Sequence, residues 1–120
     1  MPKILVIEDN PDNMDLVDQI LEDAGYEMFG AINAELGLEL LKAHTFNLIL
    51  MDISLPKMSG LEAIKIIKND TGKQHIPIIA LTAHAMQTDK ENALAAGADA
   101  FLTKPIDEER LLSTIQELII

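Results

Sequence analysis

Three acidic residues, a threonine and a lysine stand where apolar runs end in this chain. Lys3-Ile4-Leu5-Val6-Ile7 leads into Glu8-Asp9, and Asn47-Leu48-Ile49-Leu50-Met51 leads into Asp52. Pro77-Ile78-Ile79-Ala80-Leu81 leads into Thr82, and Ala100-Phe101-Leu102-Thr103 into Lys104-Pro105. Such short runs read as buried strands, and open parallel sheets gather ligands at the carboxyl ends of their strands. If the runs lie parallel, all five side chains share one edge. Two unit charges about 4 Å apart, at an effective dielectric of roughly 20, repel by roughly 4 kcal/mol. Three clustered carboxylates therefore need a positive charge among them. Mg²⁺ suits the task, because it is held by one or two carboxylates, keeps several waters and takes a phosphate oxygen as a further ligand. Lys104 adds a point charge suited to phosphate, and Thr82 a hydroxyl that can turn to meet another oxygen. The set fits phosphoryl transfer onto Asp52, a reaction governed by positioning and charge neutralisation.

Taken singly, each residue has an ordinary explanation. Acids at strand ends often cap the next helix, which Asp9 or Asn10 could do alone; Thr82 could be a plain strand-end threonine and Lys104 a surface lysine. Their joint occurrence, each at the end of an apolar run, is what points to a site.

The elements that would position them alternate strictly. Asn10 caps a first helix with Pro11 at its first position, an apolar stripe of Leu16, Val17, Ile20, Leu21 and Ala24, and Gly25 at its end. Residues 26–31 read as a second strand, and Asn33 opens a helix with stripe Leu36, Leu40 and Leu41 that ends near His44. Residues 61–68 form a third helix, followed by a polar turn over 69–74, and 88–96 a fourth, closed by Gly97. Asp107 caps a fifth with Leu111, Leu112, Ile115 and Leu118 inward. Five βα units imply an α/β fold: a doubly wound parallel sheet with helices on both faces and right-handed crossovers.

At 120 residues the chain is expected to form one domain over 1–120. Without cysteine it has no disulfide, thiolate metal site or cysteine nucleophile. No signal-like or membrane-spanning stretch is present, so a cytoplasmic location without membrane contact is expected. The formal net charge of −11 argues against direct nucleic-acid binding, which needs clustered Lys and Arg. Ten acidic residues and no basic one lie between Glu8 and Glu39. That run is either a solvated face or an electrostatic guide for a basic partner.

The acidic pair Glu8-Asp9, the block from Met51 through Asp52-Ile53-Ser54-Leu55-Pro56 to Gly60, the Ala80-Leu81-Thr82-Ala83 strand end and Lys104-Pro105 together resemble the receiver domain of two-component response regulators. The resemblance covers essentially the whole chain. It implies a flavodoxin-like sheet of five strands in the order 2-1-3-4-5, the order for which a receiver protein is a standing example, with five helices. It also implies that Asp52 is phosphorylated by a histidine kinase or a histidine phosphotransfer protein. Glu8 and Asp9 would hold Mg²⁺ directly or through water, with the Ser54 backbone carbonyl completing the protein ligands. Lys104 would pair with Asp52 and later with the phosphoryl group, ahead of a cis Pro105, and Thr82 with Phe101 would form the switch pair.

Two departures from the family pattern stand out. Phe101 replaces the frequent tyrosine, so its inward position is expected to be favoured even without phosphate. Glu8 is one methylene longer than the frequent Asp, which favours metal binding through water on that side. Ser54 and His84 flank the path expected for the hydrolytic water, with a solvent-facing loop histidine the equal alternative for His84. The Glu8-Asp9-Asn10 start and the Asp52-Ile53-Ser54-Leu55-Pro56 block are closer to stand-alone receivers than to chemotaxis-type ones. Such a receiver is no conventional enzyme, although it catalyses its own phosphorylation and dephosphorylation, and it acts by touching another protein. First-helix residues, Met14 above all, are candidate contacts for the phosphodonor. The surface of residues 87–94, Phe101 and the last helix is the candidate switching surface, for a downstream protein or a phosphorylation-dependent homodimer.

Other classes fit less well. A haloacid-dehalogenase-like phosphatase wants a second acid where this chain has Ser54, and a flavodoxin wants a hydroxyl- and glycine-rich loop where it has Glu8-Asp9-Asn10-Pro11-Asp12. A phosphorylation-independent pseudo-receiver is the remaining alternative.

Overall fold

The computed structural model describes residues 2–55, 58–83 and 87–119. Strand and helix alternate as β1 (Lys3–Ile7), α1 (Pro11–Asp23), β2 (Glu27–Ala31), α2 (Ala34–Ala43), β3 (Leu48–Asp52), α3 (Gly60–Asn69), β4 (Ile78–Thr82), α4 (Gln87–Ala96), β5 (Ala100–Thr103) and α5 (Glu108–Ile119). All strand pairs are parallel, in the order β2-β1-β3-β4-β5. This is the doubly wound, flavodoxin-like arrangement that the alternation implies.

Every residue of β3 and β4 is buried, because helices cover both faces of the sheet and leave no strand face to water. Side chains alternate between the faces with the period of two that a strand imposes. Leu5, Ile7, Ile49, Met51 and Ile78 pack against α2, α3 and α4, while Ile4, Val6, Leu50, Ile79 and Leu81 pack against α1 and α5.

Helix starts follow local chemistry. The Asn10 Oδ1 accepts from the backbone N–H groups of Asp12 at 2.9 Å and Asn13 at 3.2 Å, with Pro11 occupying the position whose N–H has no helical partner. Asn33 Oδ1 accepts from Leu36 N at 2.8 Å, and Asp107 Oδ1 accepts from Glu109 N and Arg110 N. Gly25, with φ of 87°, takes the left-handed conformation just past α1. Tyr26 belongs to that helix end rather than to β2, because its N–H donates to the Leu21 carbonyl at 2.9 Å.

The expected apolar stripes are too broad. Leu16 and Leu36 are exposed, Ala24 is exposed as well, and α2 instead buries Ala34, Gly37 and Leu41. A side chain at Gly37 would collide with the Ile7 side chain, so α2 rides on β1 through small residues and Leu36 is turned outward. In α5 Leu111 and Ile115 are buried, with Leu112 and Leu118 half-buried.

At the opposite end of the sheet from the acids, Lys68 Nζ donates to Asp99 Oδ2 at 3.0 Å and to the Ile76 carbonyl at 2.9 Å, and the same Asp99 oxygen accepts from Ile78 N at 2.8 Å. The chain thereby ties α3 to the starts of β4 and β5. Among the described residues, no helix is long and apolar enough to cross a membrane.

Candidate functional site

The strand ends converge because their registers do. Ile7 pairs with Met51, Asp52 with Leu81 and Thr82 with Thr103, so Glu8, Asp52, Thr82 and Lys104 arrive at one sheet edge. Among the described residues, the buried polar or charged side chains are Glu8, Asp52 and Thr82, each no more than 2 % exposed. Among the described residues the core is otherwise apolar, and three polar side chains come together here. Such burial has to be compensated by charge pairing and hydrogen bonding.

Glu8, Asp9 and Asp52 can each present a carboxylate oxygen, all lying within 4.8 Å of one another. The Glu8 backbone is anchored by its N–H to the Ala31 carbonyl at 3.0 Å, and its Oε2 accepts from Asn10 N at 3.2 Å. Asp52 Oδ1 accepts from Ser54 N at 2.8 Å. Lys104 is fixed by its own backbone N–H, which donates to the Thr82 carbonyl at 2.8 Å. Its Nζ stands 2.7 Å from Glu8 Oε1 and 3.1 Å from Asp52 Oδ2. The ammonium therefore bridges two buried carboxylates: the expected partner Asp52 and, in addition, Glu8. The Lys104–Pro105 peptide bond is cis. Phe101 is half-buried and packs against the core on the α2–α4 side. Ser54 is exposed at the mouth of the site, and His84, Pro56 and Lys57 lie outside the described residues.

Burial is the main cause that pushes the Glu8 carboxyl up to about 7, reinforced by the neighbouring Asp52 and opposed by Lys104 and the Asn10 N–H. Burial by itself would lower the Lys104 ammonium, but Glu8 and Asp52 outweigh it and the net shift is upward. An acid whose folded pKa is raised stabilises the fold below its unfolded pKa and loses that contribution as pH rises through the folded one. Between pH 5 and 8, without divalent cations, the protein is therefore expected to lose roughly 3 kcal/mol of stability. Glu8→Gln is expected to flatten the dependence. Urea denaturation at several pH values measures both, and a wild-type profile level from pH 5 to 8 would contradict the shift.

Two features escaped sequence reasoning. The Glu8–Lys104 contact joins β1 to the end of β5 across most of the chain, and only the fold reveals it. Gly60 begins α3 directly against the strand end that carries Asp52: a Cβ there would stand 2.5 Å from Ile53 Cα and closer still to the Asp52 carbonyl oxygen. The sequence hint was a glycine placed immediately after the helix-capping Ser59, whose Oγ accepts from Glu62 N at 3.3 Å.

A doubly wound parallel sheet with a lysine-bridged acid cluster at its carboxyl edge defines the receiver class of phosphoacceptor signalling domains. The chain belongs to the response regulator receiver domain family, whose model matches residues 4–116. It is 42 % identical over 120 residues to the polar-differentiation response regulator DivK of Brucella anthropi, covering 99 % of this chain and 98 % of that protein. It is 40 % identical over 116 residues to DivK of Brucella ovis, covering 97 % and 94 %. Among solved structures, it is similar to the receiver domain of sensor histidine kinase PA1611 from Pseudomonas aeruginosa, with a TM-score of 0.91, 34 % identity and coverage of 98 % and 97 %. That structure has a magnesium ion coordinated in its active site cleft. The Vibrio cholerae chemotaxis protein CheY4 superimposes with a TM-score of 0.93 at 31 % identity, over 98 % of each chain. The protein is thus a phosphoacceptor response regulator rather than a conventional enzyme, and its family implies a histidine kinase partner.

Proposed function

We propose that Asp52 accepts a phosphoryl group from a histidine kinase or a histidine phosphotransfer protein in a Mg²⁺-dependent reaction, and that the product switches protein–protein contacts. The observation that carries this reading is the lysine bridge: Lys104 Nζ within 3.1 Å of two buried carboxylates, one of them Asp52. In the transfer an Asp52 oxygen bonds to phosphorus as the donor's P–N bond breaks, and Lys104 turns from the carboxylate to the new phosphoryl oxygens.

Glu8, Asp9 and Asp52 form a hard oxygen donor set that suits Mg²⁺, and the Ser54 carbonyl would complete the protein ligands. When bound, Mg²⁺ neutralises charge on the transferred group. Because Glu8 Oε1 already faces Lys104, Glu8 is best placed to reach the ion through water. The magnesium in the PA1611 receiver supports this assignment.

Thr82 and Phe101 are the proposed switch pair. The hydroxyl follows the phosphoryl oxygens, and the ring moves further into the core on the α4 side. Residues 87–94, Phe101 and α5 then form the surface read by a downstream protein or by a second copy. Met14 on α1 is the proposed contact for the donor, and Ser54 and His84 the residues that set phosphoryl lifetime. We take residues 1–120 as one cytoplasmic receiver domain without direct nucleic-acid or membrane contact.

Intact mass after incubation with a small acyl-phosphate donor tests the reaction. One added phosphoryl group with Mg²⁺ and none with a chelator is the expected outcome. No gain in either condition, with the fold intact, would favour the phosphorylation-independent pseudo-receiver.

A further inference from the structure

A groove of about 290 Å³ runs between α2 and α3, with Leu38, Leu41, Ile66 and Ile67 as its apolar lining. None of the phosphoacceptor-site residues lines it. Leu41 and Ile67 belong to the core, so the groove is a place where that core reaches the surface. Ile66 is 47 % exposed. A large aliphatic side chain is thus left in water beside an apolar groove, and burying it against such a groove would be favourable.

The charges that line the groove are ordered along it. In a parallel sheet with helical crossovers, each helix starts at the carboxyl edge of the strands and ends at the opposite edge. Glu35 lies in the first turn of α2, Glu39 one turn later and Lys42 in the last turn, while Lys73 follows the end of α3. Acids therefore mark the end of the groove nearer the phosphoacceptor edge, and lysines the far end. Asp70 also stands at the far end, with its Oδ1 accepting from the Gly72 N–H at 2.9 Å. Lys42 Nζ is 3.4 Å from Glu39 Oε1, but the two side chains are 71 % and 69 % exposed, so the pair holds neither charge firmly. Lys73 has no ion-pair partner among the described residues.

A two-fold axis set across the groove reverses its direction, which brings the acidic end of one copy against the basic end of the other. A groove that is apolar along its middle and opposite in charge at its ends is thus complementary to itself. Other faces resist a second copy: the chain carries a formal net charge of −11, and α1 presents Asp12, Asp15, Asp18, Glu22 and Asp23 with no basic residue.

We propose that the α2–α3 groove is the interface of a reversible homodimer, formed without phosphorylation and separate from the α4–β5–α5 surface. Ile66 of each copy enters the groove of the other, and Glu35 and Glu39 of each face Lys42 and Lys73 of the other. The apolar contact supplies affinity, and the charged ends fix the antiparallel orientation.

Sedimentation equilibrium of the protein, with no phosphodonor present, tests this from about 10 µM to about 1 mM, the range of a small reversible interface. The average mass should rise with concentration from 13.2 kDa towards twice that value. Each dimer contains the Ile66 contact twice, so Ile66→Ser should weaken association about a hundredfold, tenfold for each copy. Glu35→Lys with Glu39→Lys, and separately Lys42→Glu with Lys73→Glu, should each abolish self-association, because like charges then meet at both ends. Mixing these two variants should restore a dimer, since opposite charges face each other again at both ends; that recovery also shows that both variants fold. A monomer at every concentration would overturn the proposal and leave the groove to a different protein or a small apolar ligand. A dimer indifferent to Ile66→Ser, or a mixture no stronger than either variant alone, would overturn it as well. The measurement needs no phosphoryl transfer, so its failure is distinct from failure of the phosphoacceptor reading.

Discussion

Asp52→Ala abolishes the Mg²⁺-dependent phosphoryl gain outright, leaving only the signal of a donor-free control. The reason lies in how differently the three carboxylates are held. Asp9 is exposed and has no fixed approach to an incoming group. Glu8 is buried and belongs to the proposed Mg²⁺ site, so it is engaged rather than free to attack. Its oxygens also face Lys104 and the Asn10 N–H. Asp52 is held at both oxygens, Oδ1 by the Ser54 N–H at 2.8 Å and Oδ2 by Lys104 at 3.1 Å. Fixed geometry of this kind is what makes an attacking group effective. The variant should fold, because removing one of the buried carboxylates relieves like-charge repulsion and leaves Lys104 paired with Glu8. Circular dichroism checks the fold and intact mass checks the labelling; wild-type labelling of the variant would show that another residue accepts the group.

Gly60→Ala is expected to be among the most damaging single-methyl changes in the chain. The new Cβ would meet the Asp52 carbonyl oxygen and stand 2.5 Å from Ile53 Cα. Backbone atoms cannot swing aside as a flexible side chain can, so either α3 lifts off the sheet or the end of β3 moves. Overpacking of this kind costs about 3 kcal/mol, more than a hundredfold in the ratio of folded to unfolded protein. The displaced backbone is the one that carries Asp52, so phosphoryl acceptance should fall with stability. An unchanged urea midpoint would show that the close approach of α3 is not required.

Much of the fold was legible because each element had its own local signal. Asn10-Pro11, Asn33 and Asp107 start their helices as expected, and continuous apolar runs became the buried strands β3 and β4. The exceptions were set by distance between elements. Leu36 has the spacing of a core residue, but Gly37 lets α2 settle so close to β1 that Leu36 is left in water. The same limit applies at the site. Residue types at strand ends brought Glu8, Asp9, Asp52, Thr82 and Lys104 to one edge, yet the sharing of one ammonium between Glu8 and Asp52 depends on how the folded strands and the turn after β5 place those side chains. The raised pKa of Glu8 follows from burial, and burial emerges only when the chain is folded.

The claim on which everything else rests is that Asp52 is the phosphoacceptor. It is tested most directly by incubating the wild-type protein with a small acyl phosphate and Mg²⁺, reducing the acyl phosphate with borohydride, and mapping the resulting homoserine by peptide mass spectrometry. Homoserine at position 52 alone is the predicted result. Homoserine at position 9 or at any other acid, or a phosphoryl gain that leaves position 52 unreduced, would contradict it.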